Sequence, residues 1–116
     1  MGQVIEHYHQ RLLARQQELN SEIARIESDE EQVAQTESLD VGDRANREYD
    51  QDALFQQLGQ ARAELNLVLE ALARIAEESY GECAECGRPV EAKRLEAVPW
   101  ARCCLACQEK HDSGML

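Results

Sequence analysis

The chain of 116 residues carries 23 acidic against 12 basic residues, a formal net charge of −11, with 30% charged and 4% aromatic side chains. Scarce aromatics with recurrent Ala, Leu, Glu, Gln and Arg are the composition of long helices and speak against a broad sheet core. No apolar run approaches the ~20 residues that span a bilayer, and MGQVIEHYHQ lacks the basic-then-apolar order of a secretory signal, so a cytoplasmic protein is expected.

The charge is unevenly placed. Residues 1–79 hold 17 acids and 7 bases, whereas 80–116 hold 6 and 5. Between 27 and 52 there are ten acids against Arg44 and Arg47, a stretch that repels a phosphate backbone and disfavours direct, sequence-specific nucleic-acid binding. A solvated, charge-rich helical face is the plainer reading of the same run.

Residues 3–80 contain no proline and two glycines, Gly42 and Gly59, so helix has few interruptions there. In the first arm Ile5, Leu12, Leu19, Ile26 and Val33 recur every seven residues, with Tyr8 and Ile23 partly filling a second series. In the second arm Leu54, Leu58, Ala61, Leu65, Val68, Leu72 and Ile75 alternate steps of four and three, the a/d pattern of a coiled coil. Burying a leucine is worth ~1.5–3 kcal/mol, and neither stripe can bury itself alone. The arms should therefore pack on each other, pairing between chains being the rival arrangement, and a monomer is expected.

Gly42 lies 38 positions after Val4 and 38 before Tyr80, so a turn there gives arms of nearly equal length. About 33 helical residues rise roughly 50 Å, a reach suited to insertion into a partner. Arg47 and Gln51 occupy the positions one heptad before Leu54 and Leu58, which makes the turn end of the seam polar. Gly59 costs up to ~1 kcal/mol in a helix interior, and the sequence offers no reason for it.

Cys83-x-x-Cys86 and Cys104-x-x-Cys107 are two knuckles separated by seventeen residues, the spacing of a four-cysteine zinc site. Four thiolates close a tetrahedral shell around one structural zinc and leave no position for water, which argues against an enzyme. Core candidates after residue 79 are Tyr80, Val90, Leu95, Val98, Trp100 and Leu105, too few to fold alone, so metal binding of ~10–16 kcal/mol should drive order there. Cys103 can in principle replace Cys104 as a ligand, although Cys104 restores the knuckle. A thioredoxin-like dithiol lacks its βαβ context. His7, His9 and His111 fall outside the finger spacing and are read as surface histidines. The expected architecture is all-α dominated: an antiparallel coiled-coil hairpin over 1–79 with its tip near 38–46, and a zinc-finger region over 80–116.

Tyr80-Gly81-x-Cys83-x-x-Cys86-Gly87, Arg94-Leu95-Glu96-Ala97-x-Pro99 and Cys104-x-x-Cys107, preceded by Asp40-Val41-Gly42-Asp43-Arg44-Ala45, together resemble the DksA/TraR family of bacterial transcription regulators over about residues 4–107. The resemblance implies a protein that binds RNA polymerase without binding promoter DNA and inserts its coiled coil into the secondary channel to modulate initiation. It makes Asp40, Asp43 and Ala45 the tip residues, with Asp43 the indispensable one. Aspartate is also a favoured helix N-cap, so Asp40 or Asp43 could start the second helix, and the two roles are compatible. An adaptor for some other protein is the alternative. Longer members carry an N-terminal extension and a longer C-terminal helix, and contacts made by those segments are not expected here. Where members that sense guanosine tetraphosphate place basic groups, this chain has Val98, Gln108 and Leu67, so alarmone dependence in that form is not expected.

Overall fold

A computed structural model describes residues 2–35 and 41–114. Four helices follow in order: α1 (Gly2–Gln35), α2 (Val41–Ala76), α3 (Ala92–Ala97) and α4 (Leu105–Asp112). The two long helices contain 34 and 36 residues, lie antiparallel and are in contact with one another. Among the described residues no helix is long and apolar enough to cross a membrane.

Helix α2 already includes Gly42. Gly42 is the second residue of that helix, so the turn expected at this glycine does not fall on it. Asp40 lies outside the described residues.

Residues 17–65 form one compact unit. Within it Leu19 and Ile26 of α1 and Leu58 and Ala61 of α2 are buried, the seven-residue series of one arm meeting the four-three series of the other. Arg62 donates to Glu27 at 2.9 Å across the pair, an exposed contact worth little beside the apolar seam.

Residues 1–16 and 66–116 form the second unit. Tyr8 and Leu12 of α1 and Val68 and Ala71 of α2 are buried here. Ala71 takes the interior place expected of Leu72, which is only half-buried. Straight helices repeat at 3.6 rather than 3.5 residues per turn, so a seam drifts across neighbouring positions.

Helix α2 stops without a glycine. Ser79 N–H reaches the Arg74 carbonyl at 2.9 Å and Glu78 N–H the Ile75 carbonyl at 3.1 Å, the paired bonds of a Schellman cap. Its left-handed residue is Glu78, with φ of 62°, and no other non-glycine among the described residues has positive φ.

Candidate functional site

The finger is assembled from two short knuckles. Gly81 and Gly87 take left-handed φ values of 88° and 76°, the conformation glycine adopts without steric cost. An antiparallel bridge pairs Glu82 with Pro89, while Cys83 N–H donates to Arg88 O at 2.7 Å and Gly87 N–H to Cys83 O at 3.0 Å. Ala84 N–H then donates to Arg102 O at 2.8 Å, tying the first knuckle to the strand-like segment that leads into the second.

Helix α4 starts immediately after Cys104. The Glu91 carboxylate accepts the Leu105 N–H at 3.0 Å and thereby satisfies one orphan donor of that helix start. A bond from its own N–H, and after it the one from Leu105, holds the Glu91 carboxyl below the usual glutamate range. Arg94 of α3 donates through Nε to the Cys103 carbonyl at 2.9 Å, fixing the approach to the second knuckle.

These constraints bring the ligating atoms of Cys83, Cys86, Cys104 and Cys107 within 4.8 Å of one another. Cys86 Sγ and Cys104 Sγ are 3.7 Å apart. A zinc–sulfur bond of about 2.3 Å in a tetrahedron requires sulfurs about 3.8 Å apart, so the donor set fits zinc in both chemistry and spacing. All five cysteines are free thiols. The cluster contains Cys104, with Cys103 outside it.

The thiols are electrostatically unequal. Desolvation pushes the Cys83 thiol up, but hydrogen bonds from the backbone of Cys104, Cys86 and Glu85 and from the Cys86 thiol outweigh it and bring the value down to about 6. Burial, with hydrogen bonding to the other three thiols, pushes Cys107 up to about 12. Backbone amides aimed at a sulfur favour its thiolate, the form a metal binds.

Around the quartet the core contains Tyr8, Val90, Leu95 and Cys103, with Tyr80 and Ala101 packed against it. Val98 and Leu105, expected inside, are 37% and 51% exposed. Sulfur fills the centre of this small unit, and the aromatic cover comes from α1 instead. Tyr8 packs on Tyr80 with ring centroids 5.8 Å apart and donates its hydroxyl to Glu96 at 3.2 Å. Arg11 donates to the Glu96 carbonyl at 2.7 Å, and Tyr80 donates to the Pro99 carbonyl at 2.8 Å. The seam position of Tyr8 was legible in the sequence, but its attachment to a segment 88 residues away was not.

Of the expected tip residues, Asp43 and Ala45 belong to the first turns of α2, and Asp40 lies outside the described residues.

Residues 78–113 match the family described as the prokaryotic dksA/traR C4-type zinc finger. Over 108 residues, 93% of the chain and 75% of the relative, the sequence is 32% identical to the RNA polymerase-binding transcription factor DksA of Caulobacter vibrioides. Among solved structures, transcription factor DksA2 from Pseudomonas aeruginosa matches with a TM-score of 0.82 and 27% identity, covering 95% of this chain and 84% of that one. The DnaK suppressor protein from Agrobacterium tumefaciens matches with a TM-score of 0.61 and 34% identity, covering 90% and 91%.

Proposed function

The chain belongs to the DksA/TraR family of C4 zinc-finger proteins, two of whose relatives reported above are named as transcription factors, and from that premise we propose that it regulates transcription by binding bacterial RNA polymerase. The observation that carries this reading is the likeness to an RNA polymerase-binding factor across 93% of the chain, both long helices included, rather than across the finger alone.

In the proposed mechanism the turn end of the helical pair enters the secondary channel of the polymerase. Asp40, Asp43 and Ala45 are the contacting residues, and the Asp43 carboxylate acts on basic groups or on the metal environment near the active centre. The acidity of residues 27–52 supports a protein partner over promoter DNA. One zinc would be held by Cys83, Cys86, Cys104 and Cys107 and would supply a structural cross-link between the knuckles.

Two measurements with purified polymerase test the proposal. Binding should be lost in competition with another factor that occupies the secondary channel. Asp43→Asn should bind with near-unchanged affinity yet fail to alter initiation at a responsive promoter. Unchanged regulation by this variant at equal occupancy removes the tip carboxylate from the mechanism, and absence of polymerase binding removes the function.

A further inference from the structure

Cys103 is the thiol that the four-cysteine site leaves over. It is 4% exposed and belongs to the same buried cluster as Cys83. It is close to two other metal-binding groups: one ligand atom each from Glu85, Cys103 and His111 lie within 4.8 Å of one another. His111 Nε2 and Glu85 Oε1 are 3.4 Å apart.

Each of the three comes from a different element. Glu85 stands inside the first knuckle between Cys83 and Cys86, Cys103 immediately precedes the second, and His111 lies in the last turn of α4. We propose that Glu85, Cys103 and His111 form a second, weaker site for a zinc-like divalent cation beside the four-cysteine site. It goes beyond the polymerase-binding function and does not depend on it.

The donor types favour this class of ion. Imidazole nitrogen, thiolate and carboxylate are each ordinary zinc ligands, and three protein ligands with a fourth position left to water are an established arrangement. For zinc–nitrogen and zinc–oxygen bonds of about 2.0–2.2 Å, tetrahedral ligand atoms lie about 3.3–3.6 Å apart, so the Glu85–His111 pair already has the required separation. Both of those side chains are 38% exposed and can close on an ion by rotation. A cavity of about 350 Å³ whose lining includes Cys103, Gln108 and His111, together with Arg94 and Arg102, lies beside two of the three groups.

Charge points the same way. A thiolate and a carboxylate neutralise a dication, and four thiolates around the first zinc leave that centre two charges negative, which attracts a second cation. Arg102 also approaches this region, but its guanidinium is held by Glu70 at 2.9 Å. The order of filling follows from the fold: the first metal joins the knuckles that carry Glu85 and Cys103, so it preassembles the second site.

The test is zinc titration of the purified full chain, followed by native mass spectrometry and by competition with a chelator of known affinity. The wild type should take up two equivalents, the second more weakly. His111→Gln, Glu85→Gln and Cys103→Ser should keep the first equivalent and weaken the second by more than the roughly 10–100-fold that loss of a supporting contact costs a metal site. With cobalt, the second equivalent should add a thiolate-to-metal absorption band that Cys103→Ser removes. A single equivalent in the wild type overturns the proposal, as does a second equivalent undiminished in His111→Gln and Glu85→Gln. If Cys103→Ser also loses the first equivalent, the other two variants decide, because their side chains are exposed and the first equivalent reports whether their finger is folded. Loss of polymerase binding leaves these stoichiometries unaffected, so the two proposals fail separately.

Discussion

The unit of residues 17–65 and the finger unit solve the burial problem with different materials. The first has a repetitive apolar seam, with Leu19 and Ile26 facing Leu58 and Ala61, and its stability is a sum of similar small contributions. The finger has four sulfurs at its centre and few apolar side chains around them, so its stability concentrates in one ligand set. Many weak contacts degrade gradually when one is removed, whereas a closed coordination shell is kept or lost as a whole.

Metal removal is the sharpest way to separate the two. Chelation, or Cys86→Ser, should withdraw up to ~10–16 kcal/mol from the finger and abolish its tertiary order. Hydrogen exchange should then show amides near Cys83 and Leu105 losing protection while those around Leu19 and Leu58 keep theirs. Uniform loss of protection across both units would erase the contrast.

Leu19→Ala should cost about 2–5 kcal/mol, because the side chain is fully buried and its neighbours can only partly collapse into the space. Denaturant unfolding measures the loss, and zinc stoichiometry should stay unchanged. A zinc defect in this variant would mean that the seam and the finger do not fail independently.

Two backbone substitutions should strengthen the helical side. At Glu78 the left-handed conformation costs a non-glycine residue roughly 1–2 kcal/mol, so Glu78→Gly should recover about 1 kcal/mol at the α2 cap. At Gly59 an added Cβ meets nothing within 4 Å, and Gly59→Ala should gain about 0.5–1 kcal/mol. Thermal unfolding of each variant reads the gain, and a destabilised Gly59→Ala would indicate that this exposed glycine lies against something other than solvent.

The smallest effect concerns the start of α4. Since the folded-state pKa of Glu91 is lowered, its contribution is present above the ordinary glutamate value near 4.3 and is lost as pH falls through the lower, folded value. Exchange of the Leu105 amide should accelerate over that acid range in the wild type, and Glu91→Gln should show the faster rate already at neutral pH. A Leu105 rate unaltered by the substitution would show that the carboxylate does not hold the helix start.

The alternation of fours and threes from Leu54 to Ile75, and the two Cys-x-x-Cys knuckles, made the helical pair and the sulfur quartet legible before any coordinates, because both depend on spacing along one chain. Spacing also favoured Cys104 over Cys103 for the quartet, since only Cys104 restores the knuckle. Four things required the folded molecule. Glu78 carries the left-handed cap with no glycine to announce it, because the cap is set by hydrogen bonds rather than residue type. Val98 and Leu105 are exposed because sulfur and Tyr8 occupy the interior they would otherwise fill. Tyr8 meets Glu96, and Glu85 and Cys103 meet His111, only once helices and knuckles distant in sequence have packed. Periodicity and ligand spacing are local properties that a sequence states outright. Which distant side chains share a surface depends on how those local pieces close on one another, and that is decided in three dimensions.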